Sequence, residues 1–257
     1  MPPRLHHRID GQGRRVLLMH PVGLDLTFFD AVSGDLARDH RVLRVDLRGY
    51  GRSTGLPPAT SMDDYVDDVH RLLHEIDFAP AAAVGLSFGG MIAQVLAVNH
   101  PEDLDALVPC ACASTFPPEG REVMRQRAVE AERGGMEAVL EATLSRWFTE
   151  GFRARGGAEP ARQRLLSDEV ASWAANWRAI AGLDIAPRLH EIRVPTLCIA
   201  GEADVASPPG MVAAIAERIP DARYTVMPGA PHMLFIEQPE AFAALVRGFL
   251  AETGPAR

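Results

Sequence analysis

Ser87 stands in the string Gly85-Leu86-Ser87-Phe88-Gly89-Gly90, and a serine flanked by glycines at this spacing is a pattern for nucleophilic chemistry. With this chain's own glycine and serine content, the bare G-x-S-x-G string arises in roughly 7% of shuffled sequences. Its setting therefore carries the argument. An apolar run at 81–86 precedes it and helix-period residues follow, so the glycines fall where a buried strand gives way to a helix. Glycine there permits a turn too sharp for side chains, which lifts the serine oxygen above the sheet edge and aims the next backbone N–H groups at the same space. The competing reading is a serine that merely caps the helix.

A serine hydroxyl is a poor nucleophile until a base takes its proton, so this reading demands a histidine and an acid farther along the chain. Of the nine histidines, His70 and His74 fall on a helix, His100 at a helix end and His190 before a strand. His232, in Pro228-Gly229-Ala230-Pro231-His232-Met233, falls in the loop after the last strand and is the expected general base. The acid belongs on another strand-end loop, and Gly201-Glu202-Ala203-Asp204 supplies one. Asp204 is expected to orient the imidazole, with Glu202 its nearest competitor. A tetrahedral intermediate also needs donors, worth about 3 to 4 kcal/mol each. The N–H of Phe88 is one candidate. The other is the N–H of Val22, from His20-Pro21-Val22-Gly23, a loop that otherwise reads as an ordinary strand-to-helix turn.

These residues need elements to hold them. Strand-length apolar runs at 16–19, 41–46, 81–86, 104–108, 196–200 and 223–227 alternate with helix-period segments. The clearest helix follows Ser61, which can cap it, with Asp64 at the capping-box position and a stripe of Met62, Tyr65, Val66, Val69, Leu72, Leu73 and Ile76. Further helices are expected at 91–100, from about 209 and from about 235. Strands apolar on both faces, alternating with helices, predict an α/β fold: a mostly parallel sheet flanked by helices. The interval 115–186 breaks the pattern. It opens on Phe116-Pro117-Pro118, holds helix-period stretches at 136–148 and 168–182, and contains Trp147, Trp173 and Trp177, all three tryptophans of the chain. Segments 1–114 and 187–257 thus read as one core domain, and 115–186 as a helical cap over its site.

Composition closes off other chemistries. The 257 residues carry 26 basic and 34 acidic side chains, a net charge of −8, which disfavours nonspecific nucleic-acid binding. Every basic residue is arginine, so Schiff-base chemistry, pyridoxal-phosphate attachment and a P-loop lysine are excluded. Three cysteines, Cys110, Cys112 and Cys198, do not form a disulfide framework and lack metal-ligand spacing, reading instead as small buried residues. No apolar stretch approaches a membrane span, and the chain reads as a cytoplasmic protein acting on a small molecule, with no cofactor, metal, membrane or nucleic-acid partner expected.

Gly85 to Gly90, Asp204, His232 and the stretch Asp46-Leu47-Arg48-Gly49-Tyr50-Gly51-Arg52-Ser53 together resemble the α/β-hydrolase fold over essentially the whole chain. Within that superfamily the sequence most resembles 3-oxoadipate enol-lactonases, through Leu5-His6-His7-Arg8-Ile9-Asp10-Gly11, Gly89-Gly90-Met91, Gly135-Met136 and Ser145-Arg146-Trp147-Phe148-Thr149. The resemblance implies a helical lid inserted after the sixth strand position and hydrolysis of a lactone or ester through an acyl-enzyme. Because a 3-oxoadipate lactone carries a carboxylate, it also implies a cation under the lid: Arg146 beside Trp147, or Arg121, Arg125 or Arg133, with Trp147 and Met233 as further substrate contacts. Arg48 reads as support for the sheet-edge loops. Two departures stand out. The family's edge strand before the segment at 5–10 is missing or the recorded start is late, and the oxyanion loop reads His-Pro-Val-Gly where these lactonases more often carry Asn-Ser. A carboxylesterase, a carbon–carbon bond hydrolase of ring-cleavage products and a cofactor-free perhydrolase share the same triad, and a non-catalytic binding protein could keep the same fold.

Overall fold

The computed structural model describes residues 5–254 of the chain. Its sheet consists of β1 (His7–Asp10), β2 (Arg14–Met19), β3 (His40–Val45), β4 (Ala81–Leu86), β5 (Leu104–Cys110), β6 (Leu197–Gly201) and β7 (Arg223–Met227). The order is β1-β3-β2-β4-β5-β6-β7, with β1 antiparallel to β3 and every other pair parallel. The order reverses at β2 and β4, the place where an open α/β sheet leaves a crevice at the carboxyl ends of its strands.

Helices α1 (Asp30–Leu36), α2 (Met62–Glu75), α3 (Phe88–Asn99), α8 (Pro209–Ala216), α9 (Leu234–Glu237) and α10 (Pro239–Thr253) flank the sheet; α4 (Pro118–Trp147), α5 (Glu150–Ala154), α6 (Glu159–Leu166) and α7 (Val170–Gly182) fill the interval between β5 and β6. That interval follows the fifth described strand, where the resemblance placed it after a sixth strand position. All six residues of β4 and all seven of β5 are buried, as strands covered on both faces must be. The polar exception in β5, Asp105, is paired with Arg14 at 2.9 Å. None of the described helices is long and apolar enough to cross a membrane.

The element boundaries differ from the sequence expectation for identifiable reasons. Helix α2 starts where Ser61 and Asp64 place it, with the reciprocal capping bonds formed. Helix α3, expected from residue 91, begins at Phe88, because Gly89 and Gly90, poor helix formers, are held helical by burial on every side. The expected helix at 136–148 is the second half of α4. Its first half is strongly polar and shows little periodicity, and Gly135, at φ 72°, breaks the two apart. The last helix is divided at Gln238 because Pro239 cannot donate a backbone hydrogen bond. The three cysteine thiols are free and buried.

Candidate active site

The carboxyl ends of β2, β4, β6 and β7 bring together the four loops singled out in the sequence. After β4 the chain turns so tightly that Ser87 takes φ 51° and ψ −111°, a conformation that carries strain for a residue with a side chain. Glycine is needed beside it: a Cβ at Gly85 would lie 2.2 Å from the Gly89 carbonyl oxygen, and one at Gly89 would lie 2.2 Å from that of Met19. Helix α3 starts immediately after the serine, and Phe88 is its first residue, so its N–H has no partner within the helix.

The other two side chains arrive from β6 and β7. His232 Nε2 lies 3.0 Å from Ser87 Oγ, and His232 Nδ1 lies 2.8 Å from Asp204 Oδ2. All three are buried: Ser87 is 8% exposed, Asp204 and His232 3%. Asp204 Oδ1 accepts hydrogen bonds from the backbone N–H groups of Ala206 at 2.8 Å and Ser207 at 2.9 Å, which fix the carboxylate and leave Oδ2 facing the imidazole. A hydrogen bond from Nδ1–H to that oxygen leaves Nε2 as an acceptor, the tautomer able to take a proton from the serine. Glu202 is exposed and accepts from the N–H of Gly229 at 2.7 Å, bracing the loop that holds His232.

Val22 lines the cavity above Ser87, and its loop is held by a side chain that the sequence reading left without a role. His20, wholly buried, meets the carbonyl of Pro21 at Nδ1, 2.7 Å away, and accepts the N–H of Leu47 at Nε2, 2.9 Å away. Burial lowers its pKa and keeps the ring neutral, as that pairing requires. Asp46 fastens the neighbouring turn, accepting the N–H groups of Leu26 and Arg52 at 2.8 Å each. Arg48 braces the same edge through Asp68, at 2.6 and 2.8 Å. No spacing rule in the sequence marks His20 or Asp46; only the tertiary fold shows what they hold.

The cavity is lined by Ser87, His232 and Val22 from the core and by Phe116, Met124, Arg127, Arg146, Trp147, Trp177 and Ile180 from the stretch after β5. Its free volume is about 30 Å³, room for roughly two waters. Trp147 and Arg146 thus reach the serine's cavity, whereas Met233 is fully buried outside its lining, and its N–H donates to the Trp147 carbonyl at 3.0 Å. Thr149 continues that link, donating its N–H and hydroxyl to the two carboxylate oxygens of Glu237 at 2.7 and 2.8 Å. The end of α4 is thereby tied to the loop that carries His232. Arg121 donates to the carbonyls of Phe116 and Ala181, Arg125 pairs with Glu122, and Arg133 is exposed, so none of them lines the cavity. Arg127, absent from the sequence reading, does.

A second histidine cluster lies on α2. His70 Nδ1 and His74 Nε2 each meet Asp103 at 2.7 Å, and His100 stacks on His70 with ring centres 3.9 Å apart. Ring nitrogens project in the ring plane, so two stacked imidazoles aim their lone pairs side by side instead of at a shared ion. Asp103, itself unexposed, makes the cluster a clamp that pins α2 to the end of α3.

A family model described as the alpha/beta hydrolase family matches residues 16–245. The polyketide synthase ThaQ of Burkholderia thailandensis is 31% identical over 95% of this chain, which spans only 12% of that protein's length. The pimeloyl-[acyl-carrier protein] methyl ester esterase of Chromobacterium violaceum is 30% identical, covering 90% of this chain and 92% of that protein. Among solved structures, the enol-lactonase of Burkholderia xenovorans LB400 is similar with a TM-score of 0.91 and 32% identity, over 96% of each chain.

Proposed function

We infer that this chain, which belongs to the alpha/beta hydrolase family, is a serine hydrolase of lactones or carboxylic esters, and that 3-oxoadipate enol-lactone is its substrate. The observation that carries the reading is the hydrogen-bonded file Ser87–His232–Asp204 beneath a cavity at the sheet's switch point. In this scheme Ser87 Oγ attacks the carbonyl carbon as His232 Nε2 takes its proton, and Asp204 stabilises the imidazolium. The oxyanion faces the N–H groups of Phe88 and Val22. Collapse breaks the acyl C–O bond, and His232 returns the proton to the departing oxygen. In a lactone that oxygen remains covalently part of the acyl chain, so hydrolysis of the acyl-enzyme releases a single product that carries both the hydroxyl and the new carboxylate. Water, deprotonated by His232, then cleaves the acyl-enzyme and regenerates Ser87.

The helices at 115–186 serve here as a lid. The cavity's small free volume supports this, because a lactone needs more room than a pair of waters and those helices form its outer wall. The similar enol-lactonase structure favours the lactone, and the methyl ester esterase relative favours an open-chain ester as the second reading.

The test follows enzymatically generated 3-oxoadipate enol-lactone by ultraviolet absorbance, beside p-nitrophenyl acetate, with wild type and Ser87→Ala. Loss of lactone with the wild type alone supports both reaction and nucleophile, with kcat lower by a factor on the order of 10⁵ in the variant. Ester turnover without lactone turnover would leave the esterase reading. No turnover of either by folded wild type would remove the hydrolase assignment.

A further inference from the structure

Five of the ten arginines at 115–186, namely Arg121, Arg125, Arg162, Arg164 and Arg178, meet carboxylates. Arg178 meets Glu132 at 2.7 Å, and Arg164 meets Asp25 at 3.0 Å and Asp168 at 2.8 Å. Arg127 and Arg146 differ from these. They come from opposite halves of α4, one on each side of the break at Gly135, and converge on the cavity that holds Ser87 and His232. Neither has a carboxylate within ion-pair distance among the described residues. Arg146 makes no hydrogen bond there at all. Arg127 makes only a 3.6 Å contact from Nη1 to the Met124 sulfur, and its buried Nε has no acceptor. Its guanidinium lies over the Trp177 ring, 4.4 Å from the centroid, and the indole Nε1 of Trp177 is likewise buried without a partner.

Two half-buried like charges in one cavity oppose each other and lose solvation, and here nothing inside the protein offsets either penalty. The consequence shows in Arg127, whose pKa burial and the neighbouring Arg146 push down to about 10, still protonated at neutral pH. Unpaired buried donors in a native structure call for an acceptor that comes from outside. Every orphan group here is a donor, the rest of the wall apart from Ser87, Ser207 and His232 is apolar, and the space is small. Those features fit a carboxylate on a short carbon chain: a planar acceptor that a guanidinium fork can hold through two bonds.

We propose that Arg127 and Arg146, with the indole N–H of Trp177, form an anion subsite that binds a substrate carboxylate remote from the scissile carbonyl. The enzyme is then selective for half-esters and lactones of short dicarboxylic acids over uncharged esters. This rests on the hydrolase reading above. It adds Arg127 as the residue that sets specificity, acting on binding of the substrate's far end while Ser87 acts on its carbonyl.

The experiment compares kcat/KM for the mono-p-nitrophenyl ester of glutaric acid with that for p-nitrophenyl butyrate, in wild type, Arg127→Met and Arg127→Lys. Methionine keeps much of the apolar stem and removes the fork. The charged-to-neutral ratio should exceed one in the wild type, fall about 10- to 100-fold in Arg127→Met, mainly through KM, and recover in part in Arg127→Lys. Titration of glutarate by calorimetry reads the same subsite without turnover, and its affinity should fall by a similar factor in Arg127→Met. Equal ratios in wild type and Arg127→Met, or glutarate binding unchanged between them, would overturn the anion subsite while leaving ester hydrolysis by Ser87 standing. A folded wild type that turns over neither ester but binds glutarate through Arg127 would remove the hydrolase reading and keep the subsite.

Discussion

The sheet with its turns and the helical segment between β5 and β6 meet in one cavity, yet they are built by opposite rules. On the sheet side the polar side chains that position the reacting atoms are held: Asp204 by two backbone N–H groups and an imidazole, His20 by Pro21 and Leu47, Asp46 by Leu26 and Arg52. On the helical side the cavity wall leaves Arg127 Nε and Trp177 Nε1 without partners. A fully satisfied network fixes a geometry in advance, and that is what a reaction needs. An unsatisfied one awaits a ligand, and that is what selection among substrates needs. In the proposed scheme, changes on the sheet side should therefore act on kcat and changes on the helical side on KM.

The sharpest test of that division is Asp204→Asn, which keeps size and most hydrogen bonds but offers an amide where the imidazole needs an acceptor. The expected result is a fall in kcat of about 10³- to 10⁴-fold at nearly constant KM and melting temperature. A loss confined to KM would break the comparison. Gly85→Ala tests the turn itself. The new Cβ would sit 2.2 Å from a backbone oxygen, a clash no rotamer relieves. A loss of about 3 kcal/mol or more in urea unfolding is expected, well above the typical single substitution. Wild-type stability in this variant would mean that the turn is not as tight as the geometry has it.

The same contrast explains what could be read from the sequence. Ser87 and its flanking glycines are legible because a strained turn restricts the residue types that can occupy it, and His232 and Asp204 because strand-end loops recur in a known chain order. Boundaries of β4 and β7 follow from apolar runs of strand length, and that of α2 from its cap. Arg127 was not legible. In a chain with 26 arginines the residue type says nothing, and its meaning depends on a missing partner, which is a property of three dimensions. The first half of α4, with α5 and α6, escaped for a related reason: polar, short or broken helices held by tertiary contacts carry weak periodicity. Met233 shows the converse error. The resemblance implied a substrate contact there, but its side chain is buried outside the cavity lining and its backbone N–H holds the Trp147 carbonyl.

A smaller effect probes the seam between the two regions. Glu237→Ala removes the acceptor for both donors of Thr149, so the junction of α4 with the His232 loop loses its clasp. The expected cost is about 1 to 3 kcal/mol, with faster amide exchange around Trp147 and Met233 and a several-fold drop in kcat as His232 loosens. Exchange that rises only at Thr149, with kcat unmoved, would show the two regions to be independent.

The smallest expected effect is a pH slope from the junction of α6 and α7. Asp168, its side chain withdrawn from solvent, is pushed up from 3.8 to about 8, chiefly by burial, with Arg164 opposing and Asp25 and Glu169 adding. Folded protein then keeps a proton that the unfolded chain releases above pH 3.8. The folded state binds more protons in that window, so stability falls as pH rises from about 4 toward 8 and levels off beyond. Because Arg164 lies 2.8 Å away and favours the ionised form, the slope should be shallow, about 1 kcal/mol between pH 6 and 8, or a few degrees in melting temperature. Asp168→Asn carries no titrating proton, and its melting temperature should lose that part of the slope. A variant that keeps the full wild-type slope but melts lower at every pH would mean that Arg164 holds Asp168 ionised throughout. The helical segment would then be pinned by an ion pair as firmly satisfied as those of the sheet, and the contrast between the two regions would be confined to the wall of the cavity.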